Sequence, residues 1–122
     1  MDHMTSKIFW EDKNVVVTGG AGFLGSHLVD QIKLKNPQSI TIPRSKDFDL
    51  REKSECTRLV KKADIVIHLA ATVGGIGFNQ NFPGTLFYDN ILMGTHLLEE
   101  SRKAGVRKFV GIGTICAYPK FA

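Results

Sequence analysis

Cysteine is scarce in this chain: Cys56 and Cys116 are the only two, which excludes a disulfide-stapled scaffold and leaves free thiols as the expectation. Long hydrophobic runs are missing as well. The longest, residues 65–71, carries His68 in its middle and is far too short to cross a bilayer. The first residues have no apolar core of the kind a signal peptide needs, so no membrane contact is expected and a cytoplasmic location is the default. Internal repeats and low-complexity tracts are absent, which removes solenoid and disordered classes. Lys and Arg number 16 against 12 acids, a net charge of +4. They are scattered, with no basic face interleaved with aromatics, so nucleic acid is not an expected partner. No metal site is expected.

What the chain does have is the stretch NVVVTGGAGFLGSHL at residues 14–28. Val15, Val16 and Val17 are β-branched without polar alternation, as in a parallel strand covered on both faces. Gly20, Gly22 and Gly25 fit G-x-G-x-x-G, while Gly19, Gly22 and Gly25 fit the looser G-x-x-G-x-x-G, so two fingerprints overlap. Glycine serves there to turn tightly after the strand, to let a pyrophosphate approach bare backbone, and to pack helix on strand. The helix opening near Gly22 offers N–H groups and a positive dipole end to the anion. Gly19, Gly22, Phe23, Leu24 and Gly25 are therefore the expected phosphate-side residues, with Leu24, Leu28 and Ile32 as the helix's inward stripe.

At 122 residues the chain suits one domain, since domains commonly run about 100 to 150. Residues 1–122 are read as a dinucleotide-binding domain. Ile8, Phe9 and Trp10 are expected to pack under the first strand. Beyond Asn36-Pro37, further strands are expected at residues 39–42, 64–69 and 109–112, and helices at 51–62 and 85–104 with Gly105 as the stop. Residues 72–84 read as a loop, and residues 48–50 as a short edge strand. In the long helix, Phe87, Ile91, Leu92, Thr95 and Leu98 share one face. Alternating strands and helices with such short links predict an α/β, Rossmann-type doubly wound parallel sheet. The first strand should lie at its centre, the 39–42 strand on one side and the other two, in order, on the other.

Chemistry is expected at the carboxyl ends of those strands. After the second strand stands Pro43-Arg44-Ser45-Lys46 with no acid at the strand end. An acid there would bind a ribose 2′-hydroxyl, whereas Arg44 would accept a 2′-phosphate, which favours NADP over NAD. Asp47, a few residues on, keeps NAD open. Asp49 with Leu50 would place an acceptor near the adenine amino group and an apolar face against the ring, or Asp49 would cap the following helix. Leu69, Ala70 and Ala71 follow the third strand as small residues where backbone passes close to a cofactor. His68 reads as a partnered core histidine. Thr114 and Cys116, past the fourth strand, could hydrogen-bond a carbonyl and shuttle a proton on the adjacent carbon.

The residues VTGGAGFLG (17–25) and HLAA (68–71) resemble the nucleotide-sugar epimerase/dehydratase family, the extended short-chain dehydrogenases/reductases. Val73-Gly74-Gly75-Ile76, Tyr88-Asp89-Asn90 and Cys116-Ala117-Tyr118-Pro119-Lys120 narrow that resemblance to its GDP-L-fucose synthase branch. The resemblance implies an NADP-dependent enzyme that epimerises C3 and C5 of a GDP-4-keto-6-deoxy-hexose and then reduces C4. It also implies a homodimeric parent, Thr114 on the keto oxygen and Cys116 as the acid/base of epimerisation. The family's Tyr-x-x-x-Lys pair does not occur in residues 1–122, since Tyr88 is followed by Leu92 and Tyr118 by Ala122. The chain is therefore expected to be a fragment ending before the substrate domain, able to bind cofactor and unable to turn over. A GDP-mannose 3,5-epimerase, suggested by Gly77-Phe78, and a non-catalytic dinucleotide-sensing module are the alternatives.

Overall fold

The computed structural model describes residues 8–71, 76–112 and Pro119. Among these residues four strands, β1 (Asn14–Thr18), β2 (Ser39–Thr41), β3 (Ile65–His68) and β4 (Lys108–Gly111), form one parallel sheet in the order β2-β1-β3-β4. The expected strand order holds. Register follows from apolar pairing: Val15, Val16 and Val17 stand opposite Ile65, Val66 and Ile67, and Thr18 opposite His68. Among the described residues the strands are accompanied by α1 (Phe23–Lys33), α2 (Lys53–Val60), α3 (Ile76–Asn81) and α4 (Pro83–Ala104), besides a helical turn at residues 8–11. Gly105 ends α4 in the left-handed conformation at φ +79°, where glycine carries no steric penalty.

Strand alternation sorts the core into two layers. Val15, Val17, Ile65 and Ile67 face α1 and meet Val29 and Ile32. Val16 and Val66 point the other way, into a cluster with Leu50, Cys56, Leu59, Val60 and Leu97 from the α2 and α4 side. The sheet is thus covered on both faces, as a doubly wound α/β fold requires. Cys56 is a free, buried thiol that donates to the Leu50 carbonyl at 3.3 Å, and burial pushes it up to about 11.

Four expectations differ from the structure. Residues 48–50 form no edge strand, because their backbone is spent on turns: the amides of Asp47 and Phe48 donate to the Arg44 carbonyl, and Leu50 drops into the core. Leu24 is exposed and Gly25 takes its inward place, since α1 approaches so closely that only a residue without a side chain fits. In α4 the expected shared face of Phe87, Ile91, Thr95 and Leu98 holds and points outward, while Leu86, Asp89, Leu97, Glu100 and Ser101 are buried. At residues 8–11 a helical turn sends only Trp10 toward the core and leaves Ile8 and Phe9 exposed. Part of the expected loop at 72–84 is helical, as α3 and the start of α4.

Candidate functional site: a cleft at the carboxyl ends of the strands

The cleft begins with the turn after β1. Gly19 adopts φ +71°, and a Cβ there would lie 2.8 Å from the Ala70 nitrogen, so the loop and the turn after β3 touch backbone to backbone. A Cβ on Gly25 would come within 2.0 Å of the Gly19 carbonyl oxygen, which seats the first turn of α1 directly on the loop. Gly22 donates to the Gly19 carbonyl at 3.0 Å and precedes α1 without a side-chain cap, and the first turn of α1 holds no acid. Helix N–H groups so placed favour an anion.

Thr18 ties the two walls together. Its hydroxyl lies 2.7 Å from His68 Nδ1 and accepts from the amides of Leu69 and Ala70, both at 3.1 Å. Burial holds the His68 imidazole below its ordinary value, and its ring leans on Phe109 with centroids 6.3 Å apart. The imidazole is therefore partnered, as its place in an apolar strand suggested.

Three adjoining hollows share Ala70 and Ala71 as a common wall. The hollow beside the glycine loop, about 530 Å³, is bordered by Gly19, Gly22, Phe23, Leu24, Gly25, His68, Leu69 and Asn90. A second, about 320 Å³, brings Arg44 beside Gly19 and Gly22. The third, about 450 Å³, lies between Asp49, Leu50, Phe48 and Arg51 on one side and Asp89 and Met93 of α4 on the other. Every residue expected on the cofactor side thus borders one cleft. Thr114 and Cys116 lie outside the described residues.

At the far hollow, Asp49 is engaged by its own neighbour. Its carboxylate accepts from the Arg51 backbone amide at 3.0 Å and from the Arg51 guanidinium at 3.0 and 2.9 Å, which holds its carboxyl below the usual range. Asp49 therefore shapes the turn before α2 and is not the helix cap, a position held by Glu52. Arg51 also reaches the buried Asp89 at 3.7 Å, joining this turn to α4. Arg44 by contrast is exposed, with no carboxylate paired to it among the described residues.

Residues 15–122 match the family described as NAD dependent epimerase/dehydratase. The chain belongs to that family. Among its members, GDP-L-colitose synthase of Yersinia pseudotuberculosis is 37% identical over 108 residues, covering 87% of this chain and 35% of that protein. GDP-mannose 3,5-epimerase 1 of Oryza sativa subsp. indica is 30% identical over 93% of this chain and 34% of that protein. A crystal structure of a GDP-L-fucose synthetase from Naegleria fowleri bound to NADP superposes with a TM-score of 0.77 at 33% identity, covering 90% of this chain and 36% of that one. The chain spans about a third of the length of the curated relatives it matches. The family's group is a nicotinamide dinucleotide, and the cleft suits one: bare glycine backbone, an uncapped helix start and a free cation stand along one wall. No helix among the described residues is long and apolar enough to cross a membrane.

Sequence reasoning missed three contributors: Thr18, the Arg51–Asp89 pair and Asn90. Thr18 left a signal, a lone hydroxyl closing a run of valines. Asp89 left one too, an acid within an apolar helix at the spacing of its buried face.

Proposed function

We propose that residues 1–122 are the NADP-binding domain of a GDP-sugar 3,5-epimerase/4-reductase that converts GDP-4-keto-6-deoxy-mannose to GDP-L-fucose in the cytoplasm. The observation that carries the reading is the meeting of the glycine loop with Arg44 on one hollow. In this reading, Gly19, Gly22, Gly25 and the first turn of α1 hold the pyrophosphate, while Phe23 and Leu24 lie over it. Arg44 accepts the 2′-phosphate. Leu50 packs on the adenine, Asp49 accepts from its amino group through a lone pair that Arg51 leaves open, and Leu69, Ala70 and Ala71 admit the ribose and phosphates.

The dinucleotide supplies the hydride that reduces the C4 ketone. Thr114 donates a hydrogen bond to the keto oxygen, which acidifies the protons on C3 and C5, and Cys116 exchanges a proton at those carbons. One carbonyl-polarising group then serves both stages. The outward stripe Phe87, Ile91, Leu98 on α4 favours a homodimeric parent, because apolar side chains aligned over three turns mark contact surfaces.

Calorimetric titration of the 122-residue chain tests the cofactor half. NADP should bind about tenfold more tightly than NAD, and Arg44→Ala should erase the difference. Equal binding of the two by the parent chain would refute the role of Arg44. The chain alone should not consume NADPH with the keto-sugar, as it carries no Tyr-x-x-x-Lys; turnover would refute that. The rice relative and Gly77-Phe78 favour a second reading, a GDP-mannose 3,5-epimerase. Stoichiometric oxidation of NADPH by the complete parent protein separates the two, because an epimerase regenerates its cofactor in each cycle.

A further inference from the structure

Asp89 stands on the inward face of α4 with Leu86 and Leu97 and is only 9% exposed. A carboxylate so placed needs donors for about four lone-pair sites. Its ion-pair partner among the described residues is Arg51, whose Nη1 stays 3.7 Å away, beyond hydrogen-bond length. Glu100, the other acid buried on that face, has two lysines, Lys103 at 3.4 Å and Lys53 at 3.8 Å. Asp89 differs in bordering the hollow of about 450 Å³ that it shares with Asp49.

Across that hollow, Asp49 has one acceptor site left. Its Oδ1 takes the Arg51 amide and Nε, both at 3.0 Å, and its Oδ2 takes Nη2 at 2.9 Å, so a lone pair on Oδ2 stays open. One guanidinium thus ties both acids. The hollow holds two carboxylates against that single cation, with Leu50 and Met93 among its apolar walls. Such a place suits a flat neutral ring whose edge donates twice, and works against one that presents an oxygen.

Resting on the dinucleotide-binding reading, we propose that Asp89 is a specificity-determining residue for the base: it accepts one hydrogen of the adenine amino group while Asp49 Oδ2 accepts the other. The amine carries two N–H bonds, and each then donates to a carboxylate in a charge-assisted contact. Arg51 keeps the two acids together when the hollow is empty. A base with an oxo group in that place sets its oxygen against both carboxylates, so rejection comes from repulsion as well as from a lost contact.

Calorimetric titration of the 122-residue chain with NADP and with its deaminated analogue, in which hypoxanthine replaces adenine, tests this. The parent chain should bind NADP about a hundredfold more tightly, roughly tenfold for each hydrogen bond to a charged acceptor. Asp89→Asn keeps the side-chain shape, leaves Arg51 paired with Asp49, and can turn an amide N–H toward an oxo group. It should bind NADP about tenfold more weakly, and the analogue no more weakly than the parent chain does. A loss of both ligands by the same factor would show that Asp89 only braces the turn before α2, and would overturn the proposal. Proton NMR of NADP bound to the parent chain gives a second reading that needs no variant. Both adenine amino hydrogens should move downfield and exchange slowly with water, and one engaged hydrogen beside one free would sink the role of Asp89. If neither NADP nor NAD binds, the dinucleotide reading fails and the acceptor pair with it. NADP binding with an unaltered preference in Asp89→Asn removes the acceptor pair alone.

Discussion

On one face of the sheet α1 reaches the loop and strands through Gly25, Val29 and Ile32, whereas on the other α4 reaches the strands through Leu97 and turns Asp89 and Glu100 to α2 and the turn before it. The α1 face closes by the absence of a side chain: helix and loop backbones touch where Gly25 sits on Gly19 and Gly20. The α4 face closes by compensated charge. Asp89 meets Arg51, and Glu100 meets Lys53 at 3.8 Å and Lys103 at 3.4 Å, with the lysine ends still in solvent. A contact of bare backbone is rigid and admits nothing larger. One built on ion pairs joins a surface turn to a helix and depends on each partner's being present.

Gly25→Ala should produce the largest effect, because the new methyl would lie 2.0 Å from the Gly19 oxygen and 2.7 Å from the Gly20 Cα, both backbone atoms. In an ordinary helix interior the same change stabilises by about 1 kcal/mol. Here a loss of about 3 kcal/mol or more is expected, from α1 being pushed off the loop. Urea unfolding reads the sign directly, and a gain would mean that the helix does not rest on the loop. NADP binding should fall in the same variant.

Arg51→Ala should come next and act on the α4 face. It strands the buried Asp89 and frees Asp49, so the urea midpoint should drop, by less than for Gly25→Ala. The pH dependence has a definite sign. Arg51 holds the Asp49 carboxyl below its ordinary 3.8, so the unfolded chain takes up the proton first. The stabilisation is complete above 3.8 and is lost as pH falls through the lowered value of the folded state. The parent and variant stability curves should therefore converge as the solution is acidified below 3.8. Curves that stay parallel would show that the Asp49–Arg51 contact adds nothing. Arg51→Lys should rescue only in part, since an ammonium cannot reproduce the two-pronged contact with Asp49.

The same contrast decides what the sequence could reveal. The valine run, the glycines and Gly105 act through backbone conformation and burial, so residue type alone announces them, and strand order followed from short alternating elements. The outward place of Leu24 was hidden because periodicity counts apolar side chains, and the inward position beside it, Gly25, has none. On α4 two stripes compete, and the more apolar one, Phe87 with Ile91 and Leu98, is the outer one. The inner stripe contains Asp89 and Glu100, whose burial depends on Arg51 and Lys53, partners far away in sequence. The position of Arg44 beside the glycine loop was legible from its place after β2. The clasp of Thr18 on His68 was not, because it needs the register of two strands separated by 50 residues in sequence.

Ile91→Gln should have the smallest effect. Ile91 is 48% exposed, between Phe87 at 67% and Leu98 at 53%, so in an isolated chain it has little apolar contact to lose. Urea stability should change by no more than about 0.5 kcal/mol, the usual range for surface positions. A loss nearer the 2 to 5 kcal/mol of a buried truncation, roughly what Leu97→Ala should show, would mean that the outer stripe is covered. Repeating the measurement at several protein concentrations makes the result sharper. If a second copy covers the stripe, the parent chain gains stability with concentration while Ile91→Gln does not. The outer face of α4 would then be a contact surface, and its apolar character would have the same cause as that of the inner one.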